Sequence, residues 1–217
     1  MKNIPRIFID EKLSAGIQIP LPRETMHYLT HVMRTDKCLV FGNGVEYNAH
    51  ISDNQKFLVI DSKTNHTDPS GNLTLMFAPI KRTDDLINMA TQMGVAVLQP
   101  VITDRTNATH INWERMKKIA TEAAEQSNRN SVPKIMPPVK FSDLDLSKII
   151  YADERVAYGK SAPNKIISNH ILVGPEGGFS DSEFNALDAA GACGISLGKT
   201  ILRAEVAAVV AITKVIE

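Results

Sequence analysis

Between Glu24 and Arg34 the apolar residues Met26, Leu29, Val32 and Met33 recur at helical spacing, which predicts one short helix. Around it the pattern is that of strands: Arg6-Ile7-Phe8-Ile9, Leu39-Val40-Phe41, Tyr47 to Ile51, and Phe57 to Ile60. Asn43-Gly44 stands between two of these runs, a dipeptide that suits the positive φ angles of a tight hairpin. Residues 1–68 are therefore expected to form a small β-rich domain, a partly closed barrel. The polar, turn-forming stretch from Asn65 to Asn72 is the best linker in the chain.

After the linker the period changes. Leu73 to Ala78 is a continuous apolar strand, and Thr83 opens a helix with Leu86, Met89, Ala90 and Met93 on one face. Gly94 ends that helix, and Val95 to Leu98 is the next strand. A long helix is expected over 112–128, then strands at Ile149 to Ala152, Ile171 to Val173 and Ile195 to Leu197. Ser180-Asp181-Ser182-Glu183 is a capping box, and Ala204 to Ile216 a final apolar helix. Strands alternating with helices predict an α/β domain over 72–217 with a mostly parallel, doubly covered sheet.

Composition narrows the class. The 217 residues are 43% apolar, enough for a folded core, and no apolar run approaches the ~20 residues of a membrane-spanning helix. The first ten residues lack the apolar centre of a signal peptide, and two cysteines are too few for a disulfide framework. A soluble cytoplasmic protein is the expectation. Basic and acidic residues number 24 each, so no long-range field draws the chain to nucleic acid. The histidines offer no metal-binding pair; His110 and His170, for example, have no companion at ligand spacing, and no metal is expected.

Three segments could carry chemistry. Ile171-Leu172-Val173-Gly174-Pro175-Glu176-Gly177-Gly178-Phe179-Ser180 is a strand, a glycine-rich turn and a helix cap in succession. Glycines there let the backbone approach a ligand, and open α/β sheets bind ligands beyond their strands' carboxyl ends. The spacing is not that of a dinucleotide fold. Gly198-Lys199-Thr200 is no phosphate loop either, because Cys193 stands where that motif needs glycine. The second segment, Ile195 to Glu205, sets Arg203 at a helix start, where a cation opposes the helix dipole and so hints at another task. The third, Glu122 to Arg129, could form a polar network through Glu125, Gln126 and Arg129. A nucleotide-binding α/β enzyme is one reading of these features.

Together these segments bear a family resemblance. Gly174-Pro175-Glu176-Gly177-Gly178-Phe179-Ser180, Leu197-Gly198-x-x-Ile201-Leu202-Arg203-x-Glu205 and Ala124-Glu125-Gln126-Ser127-x-Arg129 followed by Val132-Pro133 stand in family order. So do Ala90-Thr91-x-x-Gly94-Val95 with Pro100 and Arg105, His31-Val32-Met33-Arg34, and Gly44-x-Glu46-Tyr47. The chain resembles the bacterial small-subunit (16S) ribosomal RNA uridine-N3 methyltransferases of the SPOUT superfamily. The resemblance implies a PUA-like RNA-binding barrel, a trefoil-knotted methyltransferase domain and a homodimer. It also implies S-adenosyl-L-methionine as cofactor, and ribosomal RNA or the small ribosomal subunit as partner. Carried over, Leu172, Gly174, Pro175, Glu176, Gly177 and Gly178 form one cofactor wall, and Leu197, Gly198, Ile201 and Leu202 the other. Arg203 is the expected anion stabiliser. Glu205 accepts the proton or orients Arg203, and Arg6, Arg34 and Arg105 contact phosphate. The chain departs from the family at Ala204 and Val206 (usually threonines), at Met89 (usually lysine), at Gln92-Met93, and in the short segment Thr35 to Cys38. The alternatives are a SPOUT enzyme acting on ribose 2′-oxygen or on transfer RNA, and a non-catalytic RNA-binding relative.

Overall fold

A computed structural model describes residues 4–68, 71–107, 112–161 and 168–216. Two compact units make up the chain: Met1–Ser70 with Thr121–Val132, and Gly71–Ala120 with Pro133–Glu217. Reading along the chain alone assigns 121–132 to the second domain.

The first unit holds β1 (Arg6–Phe8), β2 (Gln18–Pro20), α1 (Arg23–His27), β3 (Lys37–Gly42), β4 (Val45–Ile51) and β5 (Phe57–Lys63). They form a five-stranded sheet in the order β1-β3-β4-β5-β2, antiparallel except for the β1–β3 pair. Asn43 (φ 51°) and Gly44 (φ 80°) make the two-residue turn between β3 and β4, as the sequence requires. Leu29, Val40, Leu58 and Ile60 lie at the centre of this unit's core. β2 escaped the sequence pattern because it is short and holds Pro20, a residue tolerated on an edge strand. The helix expected over Glu24 to Arg34 is α-helical only to His27 and widens into a π turn over Tyr28–Val32. The Thr30 hydroxyl donates to the Met26 carbonyl (2.8 Å), and Arg34, at φ 53°, ends the run. Pro69 and Ser70 of the expected linker lie outside the described residues. Asp68, just before them, accepts bonds from the Asn130 amide (2.8 Å) and the Ser131 hydroxyl (2.7 Å) and is therefore a packed part of the first unit.

The second sheet is parallel throughout. It runs β12 (Cys193–Ile195), β10 (Ile150–Ala152), β11 (His170–Val173), β6 (Thr74–Phe77), β7 (Val97–Ile102) and β8 (Lys134–Ile135), with β9 (Val139–Lys140) also paired to β7. The helices are α2 (Thr83–Gln92), α3 (Trp113–Gln126, from Thr121 part of the first unit), α4 (Asp181–Ala189) and α5 (Ala204–Ile216). Leu75, Phe77, Leu98, Ile150, Ile171 and Leu172 are sealed from solvent, as strands covered on both faces require. The fold is thus a mixed α/β fold with a parallel sheet. The last strand was expected at Ile195 to Leu197 but lies at Cys193–Ile195. Its partner β10 ends opposite Ile195, so Ser196 and Leu197 have no ladder to join. Ser180 and Glu183 close the predicted capping box. No helix among the described residues is long and apolar enough to cross a membrane.

Candidate active site

Parallel strands present all their carboxyl ends on one edge, and four of them deliver the site. The loop after β11 brings Gly174 to Gly178, the loop after β12 brings Leu197 to Arg203, the turn after β10 brings Asp153 and Glu154, and the loop after β6 brings Arg82. With the first turn of α5 they line a cavity of about 570 Å³. That lies within the range of roughly 300–1,000 Å³ usual for small-molecule sites.

The glycine loop is shaped by its neighbours. Gly178 has φ +70°, and a Cβ on it would come within 2.7 Å of Glu154 Oε1. A Cβ on Gly174 would meet the Phe179 ring at 3.1 Å. Arg105 Nη1 donates to the carbonyls of Gly177 (2.8 Å) and Phe179 (3.2 Å), and the Asp104 amide donates to Glu183 Oε1 (2.9 Å). Arg105 thus anchors the loop, and it remains exposed at the surface.

Of the other predicted residues, Pro175, Glu176, Gly198, Ile201, Leu202, Arg203 and Glu205 line the cavity. Leu172 does not; it is fully buried beside Val101, Tyr151 and Phe179, because successive strand residues face opposite ways and it is Val173 that meets the cavity. Arg203 is exposed just before α5, and its carbonyl accepts the Ala207 amide (2.8 Å). Glu205 is buried, and the guanidinium it holds is that of Arg82 (2.9 Å), not Arg203. Arg6 is the clearest correction. Its guanidinium is buried in the first unit on Glu46, Ala124, Arg129 and Asn130 and has no face left for phosphate. Arg34 is exposed. Glu125 accepts the Phe8 amide (3.2 Å), and burial raises its pKa above the usual carboxylate range. The Glu125–Arg129 motif therefore belongs to the first unit, with Arg129 buried and Gln126 exposed. His110 lies outside the described residues.

Arg82, Asp153 and Glu154 were not foreseen; the signal available was their place just after strand ends. Asp153 has a fully buried side chain, bonded by Arg155 Nε (2.8 Å), Lys160 Nζ (2.8 Å) and the Tyr151 hydroxyl (2.9 Å). Arg155 and Lys160 also reach Asp188, and the Arg155 guanidinium stacks 3.9 Å over Phe184. Burial pushes the Tyr151 hydroxyl up to about 12. Burial also pushes Asp153 up, but its bonds from Arg155, Lys160 and Tyr151 outweigh this and hold it below the ordinary carboxylate range. Asp188 is held well below it by Arg155 and then Lys160. Glu154 moves the other way, raised by burial and by neighbouring Asp153.

These lowered values set a pH window. The network's contribution is complete above the unfolded carboxylate value near ~4 and drains away as pH falls through the lower folded values. Asp188 is 43% exposed, which limits the loss expected from Asp188→Asn to about 1 kcal/mol, or about 2–4 °C in melting temperature at pH 7. Melting curves of both proteins at pH 7 and pH 3 should show the gap shrinking in acid. A gap of the same size at both pH values would contradict the assignment.

The cavity's shape and location now meet the comparisons with known proteins. The family model described as "RNA methyltransferase domain" matches residues 66–216. A relative from Rickettsia conorii, named ribosomal RNA small subunit methyltransferase E, is 34% identical, covering 97% of this chain and 94% of its own. A crystal structure of ribosomal RNA small subunit methyltransferase E from Neisseria gonorrhoeae, bound to S-adenosyl methionine, superposes with a TM-score of 0.82 at 27% identity, covering 98% of this chain and 96% of that one. A methyltransferase from Legionella pneumophila with bound cofactor SAM gives 0.79 at 26% identity, with coverage of 98% and 96%. The chain belongs to the RNA methyltransferase family, among the ribosomal RNA small subunit methyltransferase E proteins.

Proposed function

We propose that the chain transfers the methyl group of S-adenosylmethionine to N3 of a uridine in small-subunit (16S) ribosomal RNA. The observation that carries this is the cavity where the glycine loop meets the start of α5. The cofactor fits on three counts. The loop's backbone lines the cavity through its glycines, and a Cβ on Gly178 would press on Glu154, which borders the same cavity. The walls at Leu197, Ile201 and Leu202 are apolar, and Glu154 and Glu176 suit a cationic ligand. Gly174 to Gly178 and Leu197 to Leu202 would hold it.

When bound, the cofactor supplies a sulfonium methyl as electrophile; the chain must make the base a nucleophile. Uracil N3 carries a proton at neutral pH. Arg203 at the cavity rim stabilises negative charge developing on the ring, and Glu205 takes the N3 proton. Because N3 lies on the pairing edge, the base must be unpaired or flipped out to reach them.

The same reading makes the first unit a PUA-like barrel and the second a SPOUT domain with a trefoil knot. The return of the chain to set β12 on the far side of β10, after β11 on the near side, supports the knot. The exposure of Ile201, Val206 and Ile216 supports a homodimer through α5 and the loop before it.

Calorimetric titration is expected to show saturable binding of S-adenosylmethionine and none of ATP or NAD. Gly178→Ala, strained by its φ of +70° and by Glu154, should weaken that binding about tenfold, or ~1.4 kcal/mol. Absence of binding by the unaltered chain would favour a non-catalytic RNA-binding relative and overturn the proposal.

A further inference from the structure

Glu205 is the second residue of α5, with only 4% of its side chain exposed, yet it borders the cavity. One carboxylate oxygen, Oε1, accepts Arg82 Nη1 at 2.9 Å. Arg82 is fixed in turn: its Nε donates to Asp85 Oδ2 at 2.7 Å, one turn along α2. No other hydrogen bond from a described residue is made to the Glu205 carboxylate, so Oε2 is left for the cavity. The arrangement has three members in line, Asp85, Arg82 and Glu205, and the last faces the place where a base would react. A reactive group oriented by a second group, itself held by a third, is the general pattern of an activated catalytic side chain.

We infer that Arg82 is a positioning residue for this reaction, acting through Glu205. Its guanidinium occupies Oε1 and turns Oε2 towards the target base. In the step it serves, the N3–H bond of the uracil breaks, the proton passes to Oε2, and the electron pair stays on N3. The carboxylate loses its charge as the ring gains one, and Arg82 and Asp85 remain as they were. Asp85 is half exposed and steadies Arg82 without bordering the cavity. The inference rests on Glu205 as proton acceptor, and the test separates the two.

Four proteins decide it: the unaltered chain, Arg82→Gln, Glu205→Gln and the double variant, assayed for methyl transfer to small-subunit ribosomal RNA, with S-adenosylmethionine affinity measured by calorimetry. Glu205→Gln is expected to lower kcat about 100-fold or more, within the range for general-base groups. Arg82→Gln should lower kcat about 10-fold or more with little change in KM or cofactor affinity, and Arg82→Lys should restore part of the loss. The double variant should be no slower than Glu205→Gln alone, because a residue that acts through another has nothing to add once that other is gone. Losses that multiply in the double variant would overturn the inference while leaving Glu205 its role. Full turnover by Glu205→Gln would overturn the role of Glu205 and the inference with it. If Arg82→Gln does not fold, Asp85→Asn replaces it; a drop in kcat that vanishes in the Glu205→Gln background supports the inference, and an unchanged kcat overturns it.

Discussion

Arg6→Ala is expected to destabilise the first unit by about 3–5 kcal/mol, the range for breaking a buried ion pair by removing one partner. Arg6 and Glu46 are each only 5% exposed and meet at 2.9 Å. The same guanidinium donates to the carbonyls of Ala124 (3.1 Å) and Arg129 (2.9 Å) and to Asn130 Oδ1 (2.9 Å), and stacks 4.4 Å over Phe41. Truncation takes a donor from each of these acceptors, although the Ala124 carbonyl keeps the Arg129 amide (3.1 Å). It leaves the Glu46 carboxylate with the Thr64 hydroxyl on one oxygen (2.7 Å) and its charge unpaired. The strut also joins β1 to the segment after α3, so its loss should release two parts of the unit together. Urea unfolding of the full chain checks the figure, and a loss below ~1 kcal/mol would contradict it. Replacing both partners with apolar residues should recover much of the stability, since desolvating two charges is itself costly.

Arg203→Ala should give the largest effect on activity: a fall in methyl transfer of about 10²–10³-fold, the usual cost of removing a group that stabilises developing anionic charge. Arg203 makes no side-chain hydrogen bond or ion pair to another described residue, and it stands exposed at the cavity rim. Its removal should therefore change stability by less than ~0.5 kcal/mol, as for other exposed positions. Cofactor affinity should persist as well, because the glycine loop and the apolar wall are untouched. A variant that melts normally, binds the cofactor and fails to methylate isolates the chemical step. Undiminished turnover would remove Arg203 from the mechanism.

What could be read in the sequence follows a physical line. Features set by neighbours in the chain were legible: the Asn43-Gly44 turn, the Ser180–Glu183 capping box, the apolar run of α5, and glycines placed just after a strand. Features set by partners far along the chain were not. Arg6 and Glu46 lie 40 residues apart, and Arg82 and Glu205 lie 123 apart; no periodicity records such pairings. Hence Arg6 reads as a surface cation when it is a buried strut, and the hold of exposed Arg105 on the glycine loop goes unseen. Leu172 and Val173 show the limit of motif reasoning. A motif names a strand end, but only the strand's register decides which side chain meets the cavity. Equal numbers of basic and acidic residues say little about nucleic acid, because what matters locally is which cations remain free. Among the three arginines expected to touch phosphate, Arg34 alone is neither buried nor bonded to another described residue.

The central claim is methylation at N3 of a uridine, and the product itself tests it. Small-subunit ribosomal RNA, naked or in assembled subunits, would be incubated with the chain and S-adenosylmethionine carrying an isotopically labelled methyl group. The RNA would then be digested to nucleosides and read by mass spectrometry against standards. The account predicts labelled N3-methyluridine in at least one of the two substrates. Label on a ribose 2′-oxygen or on another base, or no label in either substrate, would contradict it.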